Sequence, residues 1–356
     1  MSMVIAAAEW LTYIFFSLLM GHVVLAFLPE NKKPVLKVSK HLLLASALGI
    51  VFSTFGPVLQ VVFYFNESVG AIRAFYAVLT DFQVGHAWLV ISWLCLFMMI
   101  TILFNGSRYL KALLMVIMIL AVGYSSHVAS LSLWEGWMAH SLHFLGVVLW
   151  AGVLLHISWF AASPLNWPAF VEWFSPFATA CMAVILITGF WTMTMVVEVK
   201  DYADSWVLSY GQTLLLKHIV ILPLLLIAFS NAYLSRKDSY NPRKTLKAES
   251  LIFLLTIGCT AFLGILSPPH DIDFTVDSEG ASPWAEYLAG EPIQTPVNLS
   301  VTGGNVWEGV SLLILGAGFL GMLFLLIRRD MSHYLTVLFG LLSIMSLYFG
   351  LNRLFL

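Results

Sequence analysis

Ten stretches of this chain stay apolar for about 18 residues or longer, the length at which a helix can cross the hydrocarbon core of a bilayer. They run roughly over 4–28, 39–64, 83–104, 110–127, 136–160, 170–197, 210–234, 247–267, 306–327 and 333–352. In lipid every backbone N–H and C=O must be satisfied within the segment, so runs of this length can only be helices. Composition agrees: 60% of residues are hydrophobic and 10% charged, where a soluble domain has about a quarter charged. The expected fold is an all-α polytopic transmembrane bundle of about ten spans. Pro29-Glu30-Asn31-Lys32-Lys33, Asn105-Gly106, Pro164-Leu165-Asn166, Asn241-Pro242 and Pro268-Pro269 punctuate it. Residues 67–81 have the makings of a short interfacial helix between spans two and three.

Basic residues set the orientation. Lys32, Lys33, Lys37, Lys40, Arg108, Lys111, Arg236, Lys237, Arg243, Lys244, Lys247, Arg328 and Arg329 fall on one side of this arrangement. Only Arg73, Lys200, Lys217 and Arg353 lie elsewhere. The positive-inside rule therefore puts both termini outside. The first Lys or Arg is Lys32, so the basic region of a cleavable signal peptide is missing. Three organisational parts are expected: an eight-helix membrane bundle over 1–268, an acidic extracytoplasmic loop over 269–305, and a transmembrane hairpin over 306–356. The loop carries Asp271, Asp273, Asp277, Glu279, Glu286 and Glu291 and no basic residue. It reads either as a solvated surface or as an electrostatic funnel for cations. The net charge of −2 gives no reason to expect a nucleic-acid partner.

Chemistry points to histidine. The cysteines, Cys95, Cys181 and Cys259, are far apart with no CxxC pair, which argues against a disulfide framework or a zinc knuckle. Of the ten histidines, His86, His127, His140, His143 and His270 map toward the outer side, with His218 somewhat deeper. Ionisable groups at membrane depth usually line a cavity, an ion path or a cofactor site. His140 and His143 are three apart, on nearly one face of their helix. Imidazole suits copper, zinc, nickel or iron, and the thioethers of Met138, Met193 and Met195, near the same level, would favour Cu(I). Toward the inner side, His22 and His156 read either as interfacial residues or as a second, exit site. Glu9, Lys217, Glu198, Tyr210 and Asn231 are further polar groups in or near spans. Lys217 is expected to pair with Glu198 or Glu9, to orient helices, or to face an anionic group. The same imidazoles could instead hold a b-type haem between facing helices, as His86 with His140 or His143, or His143 with His218.

Residues 126–269 resemble the CopD family of bacterial inner-membrane copper resistance and import proteins. The likeness is carried by Ser126-His127, His140 and His143, then Leu149-Trp150-Ala151-Gly152, Trp173-Phe174-Ser175-Pro176 and Thr188-Gly189. It continues through Tyr210-Gly211-Gln212-Thr213-Leu214-Leu215-Leu216-Lys217, Asn231, Glu249 and Leu266-Ser267-Pro268-Pro269. The resemblance implies a plasma-membrane protein that handles copper, in uptake or resistance, beside a separate extracytoplasmic copper-binding partner. Three functions follow as expectations: a copper transporter or relay, a haem electron-transfer protein, and a copper-delivery factor for a respiratory oxidase. The first is the main reading, with a transporter rather than an enzyme in view.

Overall fold

The computed structural model describes residues 2–162, 167–234, 242–269, 271–301 and 305–356. The long helices coincide with the apolar runs: α1 (Ser2–Phe27), α2 (Lys40–Ser53), α3 (Phe55–Val69), α4 (Ala71–Asp81), α5 (Gln83–Leu103), α6 (Arg108–Tyr124), α7 (His127–Leu131), α8 (Leu133–Leu155), α9 (Trp167–Thr194), α10 (Ser209–Leu234), α11 (Arg243–Leu263), α12 (Ile272–Glu279), α13 (Pro283–Ala289), α14 (Val306–Arg328) and α15 (His333–Phe355). Among the described residues nine segments are long and apolar enough to span a membrane, α2 and α3 counting as one. The protein is a multi-pass membrane protein and an all-α helical bundle. The expected span over 110–127 corresponds to α6, which at 17 residues covers about 25 Å. It is the helix on which a count of nine or ten turns.

Local chemistry explains the breaks. Pro57 lacks the N–H that would bond back to Ser53, so the second run divides at Thr54 into α2 and α3. Gly70, at φ +81°, supplies the left-handed backbone that turns α3 into α4. That short helix occupies the stretch expected between spans two and three. Ser39, Ser107 and Ser126 accept main-chain N–H groups as N-caps of α2, α6 and α7.

The chain forms two compact units, Met1–Met195 and Val196–Leu356. In the first, α8 is the central element, packing on α1, α6, α7 and α9. Its most apolar window is 72% buried, against 17% for α9, which marks α9 as a peripheral helix of the unit. The Phe144 ring sits edge-on between Tyr13 and Phe16, with centroids 4.9 and 5.1 Å away. Further along, Gly21 and Gly152 bring the two backbones together. A Cβ on Gly152 would lie 2.5 Å from Gly21 N and 2.6 Å from Ser17 O. Partners rise together in number, so α1 and α8 run parallel. On the other side, His143 meets Thr188 and Gly146 meets Ile185 and Cys181, so α8 and α9 are antiparallel.

In the second unit α10, α11 and the α14–α15 hairpin pack together. Gln212 is the tie: its Nε2 donates to Asn352 Oδ1 and to Trp206 O, both at 2.7 Å, and its Oε1 accepts from the Tyr348 hydroxyl. Trp284 of α13 donates to that same hydroxyl at 2.8 Å. Gly309 lies against Leu354 and Gly316 against Leu347, which lets the antiparallel hairpin close tightly.

The acidic stretch after α11 is folded. Asp271 caps α12 through Phe274 N at 2.9 Å, Asp273 accepts Val297 N at 2.8 Å, and Asp277 accepts the Thr295 hydroxyl at 2.8 Å. Glu286 accepts Ile293 N at 3.4 Å, and Asp204 accepts Leu299 N at 2.7 Å. Asp271, Asp273 and Glu286 thus brace the loop's own backbone, a structural use that neither expectation for the loop included.

Candidate functional site

Among the described residues, His143 is the one expected outer histidine that is built into the protein interior. It lies on the buried face of α8, 9% exposed, and its Nδ1 stands 3.1 Å from Ile185 O and 3.2 Å from Thr188 Oγ1, both on α9. A carbonyl oxygen only accepts, so Nδ1 carries the hydrogen. Thr188 spends its own hydroxyl hydrogen on Val184 O at 2.5 Å, which leaves its oxygen as a second acceptor for the same N–H. The neutral ring is thereby held with its lone pair on Nε2. Ligating histidines characteristically have the other ring nitrogen bonded to a carbonyl in this way. Gly189 makes the contact possible, since a Cβ there would come within 3.1 Å of His143 Cε1. The Thr188-Gly189 pair thus receives and orients an imidazole from the neighbouring helix.

His140 is half-buried one turn earlier on α8. Because α8 and α9 are antiparallel, the turn of α9 beyond Gly189 is at its level, and Met193, half-buried, occupies that turn. The register therefore groups His140, His143 and Met193 on one α8–α9 seam. Met138 is 47% exposed and Met195 follows the end of α9.

His86 is exposed, and its Nε2 lies 2.6 Å from Thr80 O in the last turn of α4. Here Nε2 carries the hydrogen, the reverse of His143, so this ring satisfies a helix-terminal carbonyl. His127 is exposed at the start of α7. His270 lies outside the described residues, as do Arg236 and Lys237 of the basic connection. Among the described residues no three His, Cys, Asp or Glu side chains gather into a metal-holding group.

In the second unit His218 on α10 has its Nδ1 2.6 Å from the Tyr202 hydroxyl. Burial pushes that hydroxyl up to about 12, so it stays protonated at neutral pH and holds the ring in place. Tyr202 lies in a connection with no motif around it, so nothing in the sequence singles it out. Tyr210 opens α10, half-buried. Glu198 pairs with Lys200 at 3.0 Å on the surface, not with Lys217 as expected. Only Val199 separates those partners, and a flexible surface lysine reaches a neighbouring carboxylate at little cost. Lys217 is half-buried on α10. Glu9 is half-buried on α1, one turn before Tyr13. Near the other end of α10, Asn231 Nδ2 donates to Glu249 Oε2 at 2.6 Å, and the Thr245 hydroxyl donates to Asn231 Oδ1. Glu249 is 2% exposed, so the hydrogen bond from Asn231 offsets part of the cost of burying a carboxyl group.

Of the two histidines expected toward the inner side, as interfacial residues or an exit site, His156 is buried and His22, on α1, is half-buried. His156 is 0% exposed and starts the π-helical turn His156–Phe160 that extends α8.

Residues 168–263 match the family model for copper resistance protein D, CopD. The matched segment contains Ile185, Thr188, Gly189, Lys217, His218, Asn231 and Glu249. No curated protein and no solved structure matches the chain. The chain is thus a membrane helical bundle that carries a CopD segment, and that segment connects it with copper resistance.

Proposed function

We propose that the protein captures copper from the extracytoplasmic side and relays it into the membrane, with the α8–α9 seam as the first station. The observation that carries this reading is the His143 ring. The Ile185 carbonyl and Thr188 oxygen fix its Nδ1–H, so the nitrogen with the lone pair is Nε2. A ligand nitrogen whose tautomer is set by the surrounding protein needs no change of tautomer when metal arrives. His140 and the Met193 thioether share the seam, and a mixed imidazole–thioether set favours Cu(I). The acceptor residues lie in the CopD-matched segment, which supports copper as the cargo.

With thirteen of the basic residues on one face, both termini and the acidic 268–305 connection lie outside in this reading. The copper reaches the seam from a separate extracytoplasmic copper-binding protein. Vesicle uptake of copper tests the proposal. Uptake is expected to fall at least tenfold in the His140→Ala/His143→Ala double variant, and to fall also in Gly189→Ala, whose added methyl group crowds the His143 ring. Unchanged uptake in both defeats the proposal. An intense Soret band from the purified protein would replace copper with haem at the same imidazoles.

A further inference from the structure

Among the described residues the interior of the first unit holds three buried polar atoms without a hydrogen-bond partner, Ser17 Oγ, Ser141 Oγ and His156 Nε2, and Ser17 and His156 both belong to the α1–α8 seam. His156 Nδ1 lies 2.8 Å from Gly152 O. As with His143, the carbonyl can only accept, so the hydrogen is on Nδ1 and the lone pair on Nε2. That Nε2 is buried and has no hydrogen-bond partner among the described residues. The Ser17 hydroxyl, on the adjoining turn of α1, is likewise buried and without a partner among the described residues. A buried acceptor left without a partner costs about 1–3 kcal/mol, and such groups call for a bound water or ion.

Close backbone packing shapes the location. Gly21 and Gly152 let α1 and α8 touch through their backbones, and a Cβ on Gly21 would lie 2.2 Å from Gly152 O and 2.4 Å from His156 Nδ1. Any larger residue would displace the ring. The Phe160 ring, 5.6 Å away by centroids, closes the other side. The π-helical turn begins at His156, and such turns recur at functional sites. His22 directly follows Gly21, the residue of α1 that packs against Gly152 and the His156 ring. Beyond the end of α1, the Lys33 ammonium is tied to Leu25 O and Glu30, both at 2.9 Å.

From this geometry we infer a second copper site, in which His156 Nε2 and the His22 imidazole bind Cu(I) between α1 and α8, with Ser17 beside them. The inference rests on the copper reading of the α8–α9 seam. His156 follows His143 by thirteen residues, so the two rings lie about 20 Å apart along one helix, two thirds of a hydrocarbon core of about 30 Å. Each presents the same tautomer: Nδ1–H on a main-chain carbonyl, lone pair on Nε2. One helix therefore carries an imidazole of this tautomer in each half of the membrane. The Lys33 ammonium, held on Leu25 O three residues beyond His22, opposes a cation, which suits a station that passes copper on and does not store it.

The test is Cu(I) binding to the purified full-length protein under reducing conditions, counted by competition with a chromophoric chelator. His156→Asn keeps an amide N–H for Gly152 O and deletes Nε2. It is expected to bind one equivalent fewer than the wild type and to leave the His140/His143 equivalent in place. An unchanged count and affinity overturns the second site and assigns Nε2 to a buried water. If His156→Asn does not fold, His22→Gln decides: a drop of at least tenfold in the affinity of one equivalent supports the site, and no change overturns it. Failure of the copper reading itself looks different, because the His140→Ala/His143→Ala variant would then keep the full count.

Discussion

Gly152→Ala is the most direct probe of the α1–α8 seam, because the three nearest atoms the new methyl would meet are all main chain. The Cβ would lie 2.5 Å from Gly21 N, 2.6 Å from Ser17 O and 2.8 Å from Gly21 Cα, where carbon contacts settle at about 3.5–4.0 Å. No rotamer change can relieve the clash, so the helices must part by about 1 Å. Overpacking of this kind costs about 1–3 kcal/mol, and the absence of any movable side chain argues for the upper end. Alanine's better helix propensity returns up to about 1 kcal/mol. The net loss is then about 2 kcal/mol, a fall in Tm of about 4–8 °C at the 2–4 °C per kcal/mol usual for 150–250 residues. The assay is thermal unfolding in detergent, followed by tryptophan fluorescence. Gly318→Ala in α14 is the control, since its Cβ would meet nothing within 4 Å and only the propensity gain remains. If the two variants melt alike, the close approach of α1 and α8 is wrong.

Two further outcomes are expected. Gln212→Leu removes the partner of Asn352, Trp206 O and the Tyr348 hydroxyl at once. At about 1–3 kcal/mol for each polar group left unmatched, the α14–α15 hairpin should become protease-sensitive while the first unit stays resistant; equal protection in mutant and wild type would contradict this. Tyr202 has a folded value near 12 against about 10 unfolded. The neutral hydroxyl is favoured in the folded state, so its stabilisation is complete below pH 10 and is lost as pH rises through about 12. Tyr202→Phe should flatten that alkaline limb of the stability curve, and an identical limb would show that Tyr202 is not the group responsible.

Elements are more legible in this sequence than chemistry is. Apolar run length marks the long helices to within a few residues, because lipid leaves the backbone no other way to satisfy its hydrogen bonds. The break at Thr54 falls inside one such run, with Pro57 as its only signal. The histidine count draws attention to the right residue type, yet it groups rings that the structure uses differently. His86 gives its Nε2–H to a helix-terminal carbonyl, whereas His143 gives its Nδ1–H to α9 and keeps its lone pair on Nε2. Both read alike as one-letter code. The acidic run resembles solvated surface charge, but several of its carboxylates hold the loop together.

What the linear chain settles by itself is where it can leave water, since hydrophobic length and the placement of lysine and arginine are properties of the sequence alone. Which imidazole nitrogen keeps a lone pair is not such a property. It depends on a carbonyl or hydroxyl that another turn or another helix brings within about 3 Å, and on glycines such as Gly21, Gly152 and Gly189 that let a ring approach. Those carbonyl acceptors are main-chain atoms, present at every residue and therefore invisible in any pattern of residue types. Only packing selects among them, and in this protein packing decided which ring nitrogen of His86, His143 and His156 carries the hydrogen.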